Sequence, residues 1–407
     1  MAGLEAKPLG ELCEFQRGLT YGKSDEVDVS RNVVLRANNV DLATHTLDLS
    51  ELRYISDSVT VPAGKKVRKG SLLICTASGS KLHLGKVAFI DDDYGYAFGG
   101  FMGQITPIPG VIDRYLFHAL TSPAYKAFIE ALSDGANINN LKFDDLQQFP
   151  VPVPGLHEQR RIVDILDEAF EGIATAKANT DKNLQNAREL LKSRREALLS
   201  KDGDGWDEAP LGDLCDIKHG YAFEGEFFAQ EGDYVLLTPG NYFESGGYRD
   251  RGEKQKYFTG SIPSDYILSE GNLLIAMTEQ AAGLLGSPLL VPESDRFLHN
   301  QRLGLVVGKP GAVWVNDFFF HVFNLACVRA EIHASASGVK VRHTSPSKIR
   351  AVRVAFPTTA AVQREVASTL AKLAAECDQL TSIYERKLTA LDELKKSLLH
   401  QAFTGAM

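Results

Sequence analysis

Residues 8–14 read Pro-Leu-Gly-Glu-Leu-Cys-Glu, and residues 210–216 read Pro-Leu-Gly-Asp-Leu-Cys-Asp. Five of these seven positions are identical, and the other two exchange one acid for another. Further matches follow in the same order: Leu-Leu-Ile at 72–74 returns at 273–275, and Gln-Arg at 159–160 returns at 363–364. Collinear matches at nearly constant spacing indicate a chain that contains one structural plan twice. We therefore predict an internal repeat with pseudo-two-fold symmetry.

Each copy has two parts of different composition. The first part mixes short apolar runs with Gly, Asn and Pro, which is typical of strands and loops with a few short helices. The second part, residues 157–201 and 361–403, lacks proline and is rich in Ala, Leu, Glu, Lys, Arg and Gln, which favour helices. We predict an α+β fold in which two similar α/β domains alternate with two long helices, with boundaries at 1–156, 157–201, 202–360 and 361–407.

The two helical segments carry apolar residues at a 4-3 spacing, which is typical of a coiled-coil seam. A two-fold axis between the copies would make the two helices antiparallel, because the second helix leaves its domain as the first one does. The alternative is that each helix packs only on its own domain. The seam is predicted to contain Leu166, Phe170, Ile173, Leu184, Leu191, Leu198, Val366, Leu370, Leu373, Leu380, Leu391, Leu394 and Leu398.

Length, cysteine content and charge exclude several classes of protein. The chain has 407 residues, enough for two or three domains, and no apolar run long enough for a membrane span. Its five cysteines are far apart, which argues against a disulfide framework or a metal site, and no secretory signal is visible, so a cytoplasmic protein with reduced thiols is expected. The net charge of −8 argues against a strongly basic nucleic-acid binder, although local basic clusters such as 65–69 and 340–353 remain.

The sequence contains no recognisable catalytic motif. Residues 18–24, Gly-Leu-Thr-Tyr-Gly-Lys-Ser, are similar to a phosphate-binding loop, but that loop needs four residues between its glycines and three are present. His118 and His321 lie at equivalent positions among aromatic residues, where a core histidine is favoured over a catalytic one.

Several motifs resemble the specificity (S) subunit of type I restriction-modification systems. These are the opening motif at 8–14 followed by Arg17 and Gly18, Lys-Gly-Ser-Leu-Leu-Ile at 69–74, and the junction Phe-Pro-Val-Pro-Val-Pro-Gly-Leu-His-Glu-Gln-Arg-Arg-Ile-Val at 149–163. The end of the second helix, residues 393–405, is similar to the family's second conserved helix. The resemblance covers the whole chain. The second junction departs from the pattern and keeps only Pro357 and the Gln-Arg pair at 363–364.

The resemblance implies a DNA-binding subunit that has no catalytic activity and no cofactor of its own. Each domain would be a target recognition domain that reads one half of a bipartite site in double-stranded DNA. The coiled coil would set the spacer and dock two methyltransferase (M) subunits, to which restriction (R) subunits add. S-adenosylmethionine and ATP would be bound by those partners, and no membrane would be involved.

Base reading requires hydrogen-bonding side chains on loops: Asn or Gln for adenine, Arg or Lys for guanine, and Ser or Thr for either. Three pairs of loops at equivalent places in the repeat meet this condition and differ in content. For any single residue, a turn role within its own loop is the open alternative. The candidates are Arg36, Asn38, Asn39, Thr76, Ser78, Ser80, Lys81, Asn137, Asn139, Asn140 and Lys142 in the first copy, and Thr238, Asn241, Tyr242, Thr278, Glu279, Gln280, Lys340, Arg342, His343 and Thr344 in the second.

A second function is compatible with the same architecture. A coiled-coil scaffold could present two modules that bind proteins or glycans instead of DNA, because a fold does not dictate a function. Sequence-specific duplex binding by a complex with a methyltransferase partner would distinguish the two functions.

Overall fold

The computed structural model describes residues 5–79, 83–133, 140–200, 204–280 and 283–407. It divides into two compact units. The first unit extends to Asp181 and resumes at Glu385, and the second unit spans Lys182–Tyr384. Each long helix thus contributes one part to each unit.

Among its described residues, the first unit contains ten strands in three antiparallel or mixed sheets, with orders β1-β10, β2-β9-β6-β7 and β3-β5-β4-β8. Its helices α1–α3 lie between β9 and β10 in the chain. The strands are β1 (Ala6–Pro8), β2 (Cys13–Arg17), β3 (Glu26–Val27), β4 (Asn32–Leu35), β5 (Arg53–Ile55), β6 (Leu72–Cys75), β7 (Val87–Phe89), β8 (Ala97–Phe98), β9 (Met102–Pro107) and β10 (Pro150–Pro152). The helices are α1 (Asp113–Ala119), α2 (Pro123–Ser133), α3 (Phe143–Leu146) and α4 (Leu156–Leu199).

The second unit repeats this order, with sheets β11-β23, β12-β21-β17-β19 and β13-β15-β14-β20-β16 and an added pair β18-β22. The strands are β11 (Trp206–Pro210), β12 (Cys215–His219), β13 (Phe228–Ala229), β14 (Tyr234–Leu236), β15 (Tyr257–Phe258), β16 (Ile267–Leu268), β17 (Leu273–Ala276), β18 (Thr278–Glu279), β19 (Pro288–Leu290), β20 (Phe297–Leu298), β21 (Leu303–Gly308), β22 (Arg342–His343) and β23 (Arg353–Pro357). The helices are α5 (Leu211–Leu214), α6 (Asn316–Phe323), α7 (Ala326–Ala334), α8 (Pro346–Arg350) and α9 (Ala360–Thr404).

The repeat predicted from sequence is confirmed by the strand pairing. In both units the first strand pairs with the last strand before the long helix: β1 with β10 and β11 with β23. Each unit also has one parallel pair, β4 with β8 and β14 with β20, among otherwise antiparallel strands. The α+β fold class is confirmed as well. The long helices begin at Leu156 and Ala360, one residue before the predicted starts.

One buried glutamine anchors the start of each long helix. Gln159 is fully buried, and its side chain accepts from the Ile112 amide at 2.9 Å and donates to the Gly110 and Pro154 carbonyl oxygens. Gln363 is equally buried and donates to carbonyl oxygens of the segment before α6 and of the residue that ends β23. Since a buried amide needs hydrogen-bond partners, the glutamine fixes how the helix leaves its domain. This accounts for the glutamine of the Gln-Arg pair in both copies.

Within each unit the two long helices run in opposite directions. In the first unit, Leu166 near the start of α4 shares a core with Leu399 near the end of α9, and Lys177 forms an ion pair with Asp392. In the second unit the order is reversed: Leu199, at the end of α4, shares a core with residues 366–370 near the start of α9. The antiparallel pairing predicted from the repeat is confirmed.

Two residues of the predicted α9 seam, Leu380 and Leu394, are wrong, whereas Leu373 of the same row is half-buried. Leu380 and Leu394 are 40% and 48% exposed, whereas Ala374, Thr381 and Leu388 are partly buried. The row of α9 that faces the partner helix therefore lies four residues after Leu370 and Leu391, whereas the predicted row lies three residues after them. Leucines recur three residues after these positions, so the sequence favoured that row. The row that faces the partner helix is instead composed of small or long side chains. Leu370, Leu391 and Leu398, which belong to the other predicted row, are buried or half-buried.

Candidate nucleic-acid interface

Two of the predicted base-reading loops meet at one edge of the first unit. Ala77, just after β6, pairs with Asn140 in an antiparallel bridge, and the Leu141 amide donates to the Thr76 carbonyl oxygen over 2.6 Å. We call residues 76–78 and 140–142 the first loop edge. Asn140 and Lys142 are exposed there. Backbone hydrogen bonds thus hold two polar side chains in a defined frame.

The second unit builds the same edge from equivalent residues. Thr278 pairs with His343, and the Thr344 amide donates to the Met277 carbonyl oxygen over 3.0 Å. We call residues 277–280 and 340–344 the second loop edge. Gln280, Lys340 and His343 are exposed on it. The backbone scaffold is therefore repeated, while the exposed side chains differ.

The third predicted pair of loops is stabilised by its own asparagines. Asn39 and Asn241 are buried, and their side-chain oxygens accept from the amides of Arg36 at 2.9 Å and Thr238 at 3.0 Å, respectively. Each amide nitrogen donates farther along its own loop. Tyr242 is also buried. The prediction that Asn39, Asn241 and Tyr242 read bases is corrected, because side chains used inside a loop cannot be presented to a ligand.

Glu279 is likewise a structural residue. Its side chain is almost completely buried, and one carboxylate oxygen accepts from the three backbone amides of residues 283–285 at 2.9–3.1 Å. The other oxygen lies 3.5 Å from His333 Nδ1 and 3.9 Å from an Arg342 nitrogen. The carboxylate closes the loop after β18, so its predicted role in base reading is corrected too.

The remaining candidates fall into four groups. Some hydroxyl and guanidinium groups make contacts inside their own unit: Thr76 donates to the Phe101 carbonyl oxygen, Thr278 pairs with His343 Nδ1, and Arg342 donates to the His333 carbonyl oxygen. Half-buried candidates are Arg36, Ser78, Thr238 and Thr344, and exposed candidates are Asn38, Asn140, Lys142, Gln280, Lys340 and His343. Ser80, Lys81, Asn137 and Asn139 lie outside the described residues.

Two exposed residues beside the loop edges were missed. Phe101 lies in the turn between β8 and β9, and its carbonyl oxygen accepts from the Thr76 and Ala77 amides at 2.9 and 3.2 Å. Arg302 occupies the equivalent place in the second unit, where its carbonyl oxygen accepts from the Met277 amide at 3.0 Å. Both side chains are exposed. The repeat aligns the two residues, but the sequence predicts base-reading residues only where the loops of both copies carry polar side chains.

His118 and His321 are buried core histidines, as expected. His118 Nε2 lies 2.8 Å from an Asp167 carboxylate oxygen that also pairs with Arg114. Burial lowers the pKa of His118 and would raise that of Asp167, but hydrogen bonds from His118 and Arg114 bring the pKa of Asp167 to about 2. Burial, together with the nearby Arg195, lowers the pKa of His321 to about 4. The group formed by Arg114, His118 and Asp167 thus connects α1 to α4.

The described residues contain neither a candidate metal site nor a candidate membrane-spanning helix. There, no three His, Cys, Asp or Glu side chains come together in a way that could hold a metal ion. Among the helices of the same residues, none combines the length and the apolar character that a membrane span requires.

Comparisons with known proteins agree with the duplicated plan. The family model described as "Type I restriction modification DNA specificity domain" matches residues 1–185 and again 203–389. The chain is 24% identical to the specificity subunit of the StySPI type I restriction enzyme from Salmonella potsdam over 431 aligned residues, covering 100% of this chain and 89% of that protein. It is 29% identical over 195 residues to the EcoKI specificity subunit of Escherichia coli K12, covering 47% of this chain and 40% of that one.

Solved structures share the fold. A chain from "Structural basis underlying complex assembly and conformational transition of the type I R-M system" aligns with a TM-score of 0.78 at 16% identity, covering 100% of this chain and 99% of that one. The HsdS subunit from Thermoanaerobacter tengcongensis aligns with a TM-score of 0.61 at 15% identity, covering 99% and 97%. The repeated family match, which covers most of both copies, shows that this chain belongs to the type I restriction-modification DNA specificity family.

Proposed function

We propose that each unit reads one half of a bipartite, asymmetric sequence in double-stranded DNA and that the α4/α9 pair sets the gap between the halves. The observation that carries this proposal is the repeated loop edge: an antiparallel bridge and an equivalent amide-to-carbonyl hydrogen bond join the two loops in both units, but Asn140 in one unit is matched by His343 in the other. Two different surfaces on one scaffold select two different sequences, because bases are distinguished by the donors and acceptors that meet them.

The net charge of −8 is compatible with this role if phosphate contacts are local and shared with partners. Exposed Lys142 and Lys340 lie on the two loop edges, where they are suited to neutralise a phosphate beside the bases being read. An acidic protein with few such contacts binds duplexes weakly by itself. We therefore expect tight binding only in a complex that adds further basic surface.

We also propose that two methyltransferase subunits dock on the long helices and that restriction subunits join them. Support comes from family membership and from apolar side chains that remain exposed on α4 and α9: Leu190, Leu380, Ile383 and Leu394. Contiguous exposed apolar residues are typical of a protein interface, and Leu380 and Ile383 are neighbours at i and i+3 on α9. In this proposal S-adenosylmethionine and ATP are bound by the partners, and the present chain contributes recognition without catalysis.

The proposal is tested by producing the chain with a methyltransferase subunit and mapping the methylated motif by sequencing. Asn140→Ala should alter only one half of the motif and His343→Ala only the other, because each residue lies in a different unit. Equal changes in both halves would contradict the assignment of one half to each unit. Binding of random duplexes as tightly as the mapped motif would refute DNA reading and favour a scaffold for protein- or glycan-binding modules.

A further inference from the structure

The turn that carries Phe101 is held rigidly by its backbone. The Met102 amide donates to the Gly99 carbonyl oxygen at 2.8 Å, and the Phe101 carbonyl oxygen accepts three hydrogen bonds: from the Thr76 amide and hydroxyl, both at 2.9 Å, and from the Ala77 amide at 3.2 Å. The Phe101 side chain is nevertheless 73% exposed. A fixed backbone that presents an aromatic ring to solvent loses little conformational entropy when the ring meets a ligand.

The equivalent turn of the second unit presents Arg302 in the same way. The Leu303 amide donates to the Asn300 carbonyl oxygen at 3.0 Å, and the Asn300 side chain accepts from the Arg302 amide at 3.1 Å. The Met277 amide donates to the Arg302 carbonyl oxygen. Within the ranges that the structure describes, no hydrogen bond or ion pair engages the exposed guanidinium of Arg302. Its five donors are thus free for a ligand.

A glycine supports each turn from below. A Cβ atom added at Gly18 would lie 1.9 Å from the Gly99 carbonyl oxygen, and one added at Gly220 would lie 2.2 Å from the Asn300 carbonyl oxygen. Only glycine permits such a close approach of two backbones. Both units therefore keep the glycine that allows the turn and differ in the exposed residue that the turn carries. We call Phe101 and Arg302 the tips of the two turns.

Each tip is joined directly to a loop edge. The residues bonded to the Phe101 carbonyl oxygen are Thr76 and Ala77, and Ala77 pairs with Asn140. The residue bonded to the Arg302 carbonyl oxygen is Met277, which precedes the Thr278–His343 pair. A ligand that contacts the first or second loop edge is therefore within reach of Phe101 or Arg302.

We propose that Phe101 and Arg302 are specificity-determining residues: Phe101 packs on the methyl group of a thymine in one half-site, and Arg302 donates to the acceptor edge of a guanine in the other. Phenylalanine suits the thymine methyl, and the arginine fork matches guanine O6 and N7. This inference rests on the proposed function and deepens it. It requires a thymine in the half read by the first unit and a guanine in the half read by the second.

The test uses the complex with its methyltransferase partner and a duplex that carries the mapped motif. Each thymine is replaced in turn by uracil, which removes the methyl group, and each guanine by 7-deazaguanine, which removes N7. One uracil position should weaken wild-type binding several-fold but leave Phe101→Ala unaffected. One 7-deazaguanine position in the other half should weaken wild-type binding about tenfold, and Arg302→Ala should show no further loss, since a good arginine–guanine pair contributes about 1–3 kcal/mol.

Two control variants separate base reading from general effects. Arg302→Lys keeps the charge and can still donate to guanine, but it lacks the planar fork, so it should retain the salt dependence of binding and show a smaller response to 7-deazaguanine than wild type. Val29→Ala removes another apolar side chain of the first unit, one that is 83% exposed in the turn before β4, and should keep the full response to uracil.

The outcomes distinguish this inference from the proposed function. If wild-type binding is specific for a bipartite motif but both variants respond to every base analogue as wild type does, the inference is refuted and the proposed function stands. If the complex does not discriminate between duplexes at all, both are refuted.

Discussion

His321 and His118 are equivalent in the repeat, yet within the described part of the chain a carboxylate partner is found for His118 and none for His321. The position equivalent to Asp167 holds Ala371, and the His321 ring is buried near Arg195. Its pKa falls to about 4. Between about pH 6.5 and pH 4 the unfolded chain therefore binds a proton that the folded chain excludes, and stability falls as the pH falls through this window.

We predict that His321→Gln reduces the loss of stability between pH 7 and pH 4 by up to about 3 kcal/mol, because the protonation penalty disappears. Urea unfolding followed by tryptophan fluorescence provides the measurement, since both tryptophans, Trp206 and Trp314, lie in the second unit. Exposed His219→Gln is the matched control for loss of an imidazole. The same pH dependence in His321→Gln and wild type would contradict the assignment.

At the scale of single residues, the sequence predicts which chemical groups a loop contains better than it predicts whether each side chain is exposed or turned inward. Asn38 and Asn39 are adjacent and of one type, but Asn38 is exposed whereas Asn39 holds its loop. Glu279 similarly follows a strand at a predicted reading loop and turns inward to three amides. Which of two identical side chains turns inward depends on the loop conformation, and that conformation depends on distant residues such as Asp48.

At the scale of elements, the long helices were predicted almost to the residue because helix formers run without proline from one domain to the next. The facing row of α9 was not, since both alternatives share residues 370, 377, 384, 391 and 398 and differ only in the row between them. Leu373, Leu380 and Leu394 made one row more hydrophobic. Packing against the partner helix selects the other row, in which the small side chains of Ala374 and Thr381 are half-buried.

This assignment predicts different costs for two identical substitutions in α9. Leu370→Ala should lower the free energy of unfolding of the second unit by about 2–5 kcal/mol, because Leu370 is fully buried. Leu380→Ala should cost less than about 1 kcal/mol, since that side chain is 40% exposed. Urea unfolding followed by tryptophan fluorescence compares them directly. Equal costs would restore the seam predicted from sequence.

At the scale of the whole molecule, duplication is the feature from which the rest follows. It was readable because the motif at 8–14 and the Gln-Arg pair return in order, and strand pairing repeats in both units. The exposed tips Phe101 and Arg302 were not readable in the same way, since the repeat preserves their backbone environment and changes their side chains. What the two copies share is structural, and what distinguishes them is exposed at the loop edges.

We propose above that the two copies read separate half-sites and that the helix pair sets the gap between them. Deleting one heptad from each helix, residues 181–187 of α4 and 378–384 of α9, tests it most directly, because Ala187 packs against Cys377 and the deletions remove facing segments. The measurement is the methylated motif, mapped by sequencing, in cells that carry this variant and its methyltransferase partner. We predict unchanged half-sites separated by a shorter gap. An altered half-site, or an unchanged gap in a variant that still methylates, would contradict the account.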